Sequence, residues 1–324
     1  MHNLRNEWYN NIVINNDISM FLDEEFESTF QFGRKLCLEK LPFGICQNIV
    51  INNKRSQTVD ELMETYKESD KINFEKMFDD NDKVLLKSTV FVSSNESQSF
   101  FYKWQRHRRM WWRKFSPNPG RYSLSDIKTN SNNIQTVEIV AKYPWQDEIV
   151  ETLTLYPSCN NLTIKDQQFK EGKKTIQAHN VVSEVSLTSL FLNTICDAYD
   201  QSAYKGISRT LLRFHRKLAP YRISFAISTS TYSLIPELSD LALYLTKQLR
   251  ANQVSTLYIP SSSKLSLEAQ WRQYDEMGIP YNIILNENTL KNGICLMRSR
   301  DTTLKEQVHV ADITKYVEQL FKSY

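Results

Sequence analysis

EMGIPYNIILNENTLKNGICLMRSRDTT, residues 276–303, is the stretch whose reading decides the fold. Gly278-Ile279-Pro280 supplies a turn, and Tyr281 to Leu285 is a short β-branched and apolar run. Asn292-Gly293 is a dipeptide at which positive backbone φ costs little. Ile294 to Met297 reads as a second strand, followed by Arg298, Arg300 and Asp301. Side chains alternate along an extended chain, so the two arginines share a face. Two readings are open. Arg300 and Asp301 pin a strand end through local ion pairs, which at a surface are usually worth under ~1 kcal/mol, or Arg298 and Arg300 face a partner.

Around this stretch the sequence predicts strand 221–228, helix 236–251, strand 254–259, helix 265–277, strands 281–285 and 294–298, and helix 312–322. Strands alternating with helices imply an α/β domain with a mixed sheet and helices on its faces. Upstream, Lys205 to Lys217 is rich in positive charge, and His215-Arg216-Lys217-Leu218-Ala219-Pro220 leads into the alternating run from Tyr221. A proline just before a new strand suits a junction, which places domains at 1–214 and 215–324. In the first domain, VVSEVSLTSLFLNTICDAY (181–199) reads as a strand passing into a buried helix. Residues 52–82 read as a helix and loop that interrupt the domain, and Lys128 to Gln135 as a loop.

A chain of 324 residues can hold two domains with their own cores. Plentiful aromatics and scarce glycine indicate an ordered globular protein. No run of about 18 apolar residues exists, which argues against membrane integration. A net charge of +3 does not by itself mark a nucleic-acid binder, so that case has to rest on local clustering. Cys37, Cys46, Cys159, Cys196 and Cys295 form no CxxC pair and no zinc spacing with histidine, and read as reduced core thiols of an intracellular protein. The amino terminus, MHNLRNEWYNNIVI, has neither a secretory apolar region nor the composition of an organellar transit peptide.

Charge and aromatics cluster most densely in SFFYKWQRHRRMWWRKF, 99–115. On a helix, Phe101, Trp104, Arg108, Trp111 and Phe115 fall on one side at three- and four-residue spacings. Lys103, Arg106, His107, Arg113 and Lys114 gather on another. The aromatic stripe reads as core. The basic stripe is either a solvated face or a contact for a phosphate backbone, which would be salt-sensitive and carry little sequence preference. His107, His179, His215 and His309 have no neighbouring carboxylate or cysteine at ligand spacing. Glu138, Asp147 and Glu148 are not placed beside any substrate. None of these residues is assigned catalysis, and no metal site or cofactor is expected.

Several separated segments carry a resemblance. LPFGICQ (41–47) resembles the start of motif 2 of glycyl-type class II aminoacyl-tRNA synthetases. The Phe100–Phe115 helix, with AKYPWQDEIVETL (141–153), resembles the stretch ending at that enzyme's amino-acid pocket. VVSEVSLTSLFLNTICDAY resembles motif 3, and LAPYRISFAIS opens an anticodon-binding-like domain. The implied fold is α/β (α+β): a class II synthetase-like antiparallel-sheet core lacking the catalytic motifs, then an anticodon-binding-like α/β domain with a mixed sheet. Where the enzymes present an arginine and a glutamate for ATP, this chain runs Asn48-Ile49-Val50-Ile51-Asn52-Asn53. Where they present a glycine-rich turn and an arginine, it has Ser186-Leu187-Thr188-Ser189. Without cationic donors aimed at the triphosphate, adenylate formation loses its main electrostatic stabilisation. Lys54 and Arg55 are the nearest shifted substitutes.

RHRRMWWRKFSPNPGRYS, YDEMGIPYNI and LKNGICLMRSRDTTLKEQVHVADI are similar to one family in particular, the accessory subunits of mitochondrial DNA polymerase (polymerase gamma). The resemblance implies a non-catalytic subunit of the mitochondrial matrix nucleoid. Such a subunit binds the polymerase catalytic subunit, largely through the anticodon-binding-like domain, and increases its hold on double-stranded primer-template DNA. Lys103, Arg106, Arg109, Arg113 and Lys114 become the candidates for DNA contact, and Arg298 and Arg300 for polymerase contact. The family's first conserved segment resembles LRNEWYNNIVI only from its middle, so an upstream part with any transit peptide is expected to be missing. Met20 to Lys40 is too short for the long helical hairpin that builds a homodimer in some members, at ~1.5 Å per residue, so one copy per polymerase is expected. The alternatives are a glycyl-type synthetase with displaced ATP ligands, or a synthetase-derived RNA-binding regulatory module.

Overall fold

The computed structural model describes residues 1–22, 25–51, 83–159, 162, 164, 168–171, 174–204 and 207–322. The expected helix and loop at 52–82, with Lys54 and Arg55, lie outside these residues. The described part forms two compact units, Met1–Thr194 and Ile195–Tyr324. The division falls upstream of the expected 214/215 boundary, so the segment 195–214 goes with the second unit.

The first unit is built on a nine-stranded sheet. Its strands are β1 (Ser19–Leu22), β2 (Phe43–Ile51), β3 (Lys83–Ser93), β4 (Tyr122–Leu124), β5 (Lys128–Thr129), β6 (Gln135–Lys142), β7 (Asp147–Tyr156), β8 (Gln168–Glu171) and β9 (Lys174–Ser186). The order is β1-β2-β3-β9-β7-β6-β4, with β5 on β6 and β8 on β9. Every pairing is antiparallel except β1 with β2. Among the described residues α1 (His2–Tyr9), α2 (Phe26–Leu36) and α3 (Ser97–Phe115) belong to this unit, and α4 (Leu187–Ala198) begins in it and runs past Thr194. The strand at 181–186 passes directly into α4, as the sequence predicts.

In the central strands β2, β3 and β9, residues 43–46, 88–93 and 180–183 are buried on both faces of the sheet. On one face Phe43, Ile45 and Phe91 meet Phe30 of α2 and Phe169 of β8 in an aromatic core. On the other, Leu86, Val90, Val137, Ile139, Leu153 and Leu155 are buried with the aromatic stripe of α3. The Lys128–Gln135 loop is a tight hairpin between β5 and β6.

The second unit opens with a hairpin, β10 (Tyr199–Tyr204) and β11 (Ile207–Leu212), and continues into a five-stranded mixed sheet. The sheet contains β12 (Ile223–Ile227), β13 (Thr256–Leu257), β14 (Tyr281–Leu285), β15 (Ile294–Ser299) and β16 (Lys305–His309), in the order β13-β12-β14-β15-β16. Strand β12 is parallel to both neighbours, and the β14-β15-β16 run is antiparallel. All of β12 is buried because helices cover both faces. Ile223, Phe225 and Ile227 pack with Leu238, Ala242 and Leu245 of α5 (Ile235–Ala251) and with residues of α8 (Ile313–Lys322). Ala226 points the other way, to Tyr274 of α6 (Leu267–Glu276) and Ile279.

Two local outcomes differ from expectation. Between β14 and β15 the chain makes a short helix, α7 (Glu287–Asn292), rather than a plain turn. Asn286 caps it by accepting from the Asn288 and Thr289 amides, and the Thr289 hydroxyl accepts from the Asn286 amide, a reciprocal box. Gly293 still takes the positive φ of 72°, as the residue that ends the helix. Strand β16 was not expected. It is an edge strand with Lys305, Glu306 and Gln307 exposed and only Val308 buried, so its apolar alternation is nearly silent.

Candidate nucleic-acid and partner-binding surfaces

Helix α3 runs nineteen residues without an interior glycine or proline and stops at Ser116, whose extended backbone is what the following Pro117 requires. Phe101, Trp104, Gln105, Arg108, Trp111, Trp112 and Phe115 are buried on it. Arg108 is the anomaly in this stripe, because a guanidinium in a core needs a partner. It finds Glu151 of β7, with Nε and Nη2 donating at 2.7 and 3.2 Å, and Nη1 donates to Asn11 at 2.7 Å. Both ionic side chains are fully buried. The Trp112 indole donates to Glu151 Oε2 at 2.6 Å, and the Ser183 hydroxyl donates to Oε1. All four acceptor directions of the carboxylate are therefore used.

A bulge places Glu151. Ile139 pairs with Glu151 but Val140 pairs with Ile149, so Val150 is the extra residue and the strand's parity flips there. Glu151, Leu153 and Leu155 point to the core, while Ile149 is left 53% exposed. The sequence already held the signal for this pair. Arg108 falls on the aromatic stripe, and Glu151 falls in phase with Leu153 and Leu155. Glu138 pairs with Lys128 at 3.0 Å, Glu148 accepts from the Gln146 amide, and Asp147 is exposed.

The opposite face of α3 is cationic. Lys103, Arg106, Arg113 and Lys114 are exposed with Tyr102 and Met110, and Arg109 is half-buried. Arg109 Nε is sealed from solvent without a hydrogen-bond partner. No carboxylate occurs in the helix. From Lys103 to Lys114 the stripe spans roughly 16 Å at 1.5 Å per residue, the reach of about five phosphates along one strand of duplex. His107 adds no charge to it at neutral pH. Burial, reinforced by the neighbouring Arg108, pushes its imidazole below the ordinary value, and Nε2 lies 3.1 Å from the Asn11 amide.

Arg298 and Arg300 share a face, but it is an inner one. Both are buried, which corrects the expectation that they face a partner. Arg298 makes a two-pronged bond to Asp275 at 3.0 Å on each oxygen and lies 4.9 Å from the Trp271 ring. Arg300 donates to the backbone carbonyls of Leu212 and Gly278 at 2.8 Å and Phe214 at 3.0 Å, and also pairs with Asp301 at 2.9 Å. Arg209 from β11 shares Asp275 at 2.7 Å. The pair thus locks the β10–β11 hairpin to α6 and β15, for which the physical reason is a guanidinium fork matching a carboxylate and three converging carbonyls.

The positions at which an enzyme of the resembling class would hold ATP carry no cation among the described residues. Asn48 lies exposed on β2, and Ser186 to Ser189 form the β9–α4 junction, where the Ser189 amide donates to Ser186 Oγ. Lys87 and Glu184 lie opposite each other on β3 and β9 and pair at 2.9 Å. The histidines have local roles: His179 lies 2.9 Å from Ser97 Oγ, His215 accepts from the Lys217 amide, and His309 caps the turn at Ala311. Among the described residues no group of three His, Cys, Asp or Glu side chains could hold a metal, and no helix is long and apolar enough to cross a membrane. Burial pushes the thiols of Cys46 up to about 12 and of Cys159 and Cys295 to about 11. Cys46, Cys159 and Cys295 are buried, and Cys37 and Cys196 are half-buried.

Residues 229–320 match the family model described as an anticodon binding domain. The chain is 29% identical over 248 residues to the mitochondrial DNA polymerase subunit gamma-2 of Drosophila melanogaster, covering 74% of this chain and 67% of that one. It is 29% identical over 249 residues to the corresponding protein of Xenopus laevis, covering 71% and 51%. A glycine–tRNA ligase of Borreliella burgdorferi is 23% identical over 303 residues, covering 88% and 62%. The chain therefore spans about half the length of the frog relative. The expected resemblance to polymerase gamma accessory subunits and to glycyl-type synthetases is borne out. The architecture is that of a class II synthetase-like core followed by an anticodon-binding-like domain.

Proposed function

We propose that this chain is a non-catalytic accessory subunit of mitochondrial DNA polymerase, acting in the mitochondrial matrix. It binds the catalytic subunit and strengthens its hold on primer-template DNA. The observation that carries this reading is the likeness to the gamma-2 subunits over about three quarters of the chain, joined to a helix that presents five cations and no carboxylate. A subunit docked on the polymerase adds contacts that must break before the enzyme leaves DNA, so the off-rate falls while the chemical step changes little. Tethering also raises the local concentration of the α3 face near the duplex, so weak phosphate contacts suffice. Lys103, Arg106, Arg109, Arg113 and Lys114 are the DNA contacts. The polymerase contact lies on the anticodon-binding-like unit, where Leu304 is 69% exposed in the turn beside Arg298 and Arg300. Those arginines hold that turn and its hairpin rather than touch the partner.

The longer alignment with glycine–tRNA ligase favours a second reading, amino-acid activation with displaced nucleotide ligands. Two assays separate them. Co-expression with the cognate polymerase catalytic subunit should give a complex that survives gel filtration at about 0.15 M salt, where weak surface charge contacts are screened. Glycine-dependent exchange of pyrophosphate into ATP should stay at background. Exchange above background, with no complex, would overturn the proposal in favour of the enzyme.

A further inference from the structure

Trp145 sits in the turn between β6 and β7 with 44% of its surface exposed. An indole there would ordinarily be free to move, yet this one is held. It stacks on Tyr143 with ring centres 4.6 Å apart and planes 14° from parallel. Tyr143 is itself buried, and its hydroxyl donates to Asn193 Oδ1 at 2.8 Å. Asn193 Nδ2 in turn donates to the Tyr122 hydroxyl at 2.7 Å, and the Tyr122 ring stacks on Trp112 of α3 at 5.6 Å. An unbroken run of contacts therefore ties an exposed indole to the helix that carries the cationic stripe.

Positive charge adjoins this platform. The Arg121 guanidinium lies 4.2 Å from the centre of the Tyr143 ring and donates to the Lys142 carbonyl at 3.1 Å, and the Lys142 side chain is exposed. Asp147 pairs with Lys142 across the hairpin, and Glu148 follows it, so the patch is mixed rather than uniformly basic. That mixture disfavours a contact driven by charge alone and favours one in which the ring supplies the energy. A rigid, exposed aromatic face beside cations is the arrangement that binds unpaired bases without sequence preference.

We infer that Trp145 is a stacking platform for an unpaired base of single-stranded DNA, such as the template strand beyond a primer terminus. The inference rests on the accessory-subunit reading for its substrate and deepens it: α3 takes the phosphates of the duplex, and Trp145 takes a base where the duplex ends.

The test uses the free protein, so its failure is distinct from failure of the polymerase partnership. Anisotropy of labelled DNA is measured on a blunt duplex, on the same duplex with a single-stranded overhang, and on an overhang of abasic residues. Trp145→Ala should bind the overhang substrate about tenfold more weakly and the blunt duplex unchanged, and Trp145→Phe should retain most of the difference. Abasic residues should weaken the unaltered protein by the same factor and Trp145→Ala no further. Equal binding of normal and abasic overhangs by the unaltered protein would overturn the inference, even if Trp145→Ala folded poorly. Tighter binding of an RNA overhang of the same sequence would overturn its assignment to DNA.

Discussion

Helix α3 and the segment 298–305 both carry clustered arginines, and they use their cations in opposite ways. On α3 one arginine of the set, Arg108, is taken into the core while Lys103, Arg106, Arg113 and Lys114 stay in solvent. At 298–300 both arginines turn inward and meet Asp275, Asp301 and three backbone carbonyls. The difference follows from geometry. A helix with an aromatic stripe has one apolar face and exposes the rest of its circumference. A strand flanked by α6 on one side and a hairpin on the other offers its polar residues a carboxylate and unpaired carbonyls instead of water. Charge density in the sequence marks both stretches; only the surrounding elements decide which is a surface.

The largest effect is expected on the buried face of α3. Glu151→Ala leaves Arg108 uncompensated in the core and frees the Trp112 and Ser183 donors, so unfolding free energy should drop by about 3–5 kcal/mol, read by urea denaturation. A loss below about 1 kcal/mol would mean that water reaches Arg108. Next in size is Arg300→Ala, which strips three carbonyls of a charged donor at about 1.5–3 kcal/mol for such bonds. Amide hydrogen exchange should accelerate in the β10–β11 hairpin before it does in β12. Uniform acceleration would show that Arg300 is not what fastens the hairpin.

The smallest effect is a pH dependence. Burial lowers the pKa of His107 and of His179 from the ordinary 6.5. The unfolded chain therefore binds more protons as the medium acidifies, so their contribution is full above about pH 6.5 and is lost as pH falls through the lowered folded values. His107→Gln should flatten part of the fall in melting temperature between pH 7 and 5. An unchanged slope would assign the whole of it to other groups.

Much of this architecture was legible in the sequence, because period-two and period-3.6 patterns report burial directly. The β12, α5, β14 and β15 elements and the β9–α4 passage come out close to their expected bounds. What stayed hidden has particular causes. Strand β16 lies at an edge and needs no apolar face, and the helical turn at 287–292 depends on the Asn286 and Thr289 cap rather than on periodicity. The bulge at Val150 shifts parity by one residue, which no local composition announces. Among the candidate residues, the exposed face of α3 followed from helical spacing. The inward turn of Arg298 and Arg300 did not, because Asp275 and the carbonyl of Leu212 are far from them in sequence.

On the proposed function the cationic face of α3 lengthens the stay of a polymerase on DNA, while Arg209, Arg298 and Arg300 serve the fold. Product length in single-encounter primer extension tests it, with the cognate mitochondrial catalytic subunit alone, with this protein, and with a Lys103→Glu, Arg106→Glu, Arg113→Glu and Lys114→Glu variant that still co-purifies with the polymerase. The account predicts longer products with the unaltered protein and most of that gain lost with the variant, the more so as salt is raised from about 0.05 to 0.2 M. Equal product lengths with and without the unaltered protein would contradict the accessory role. A full gain from the charge-reversed variant would contradict the part assigned to α3.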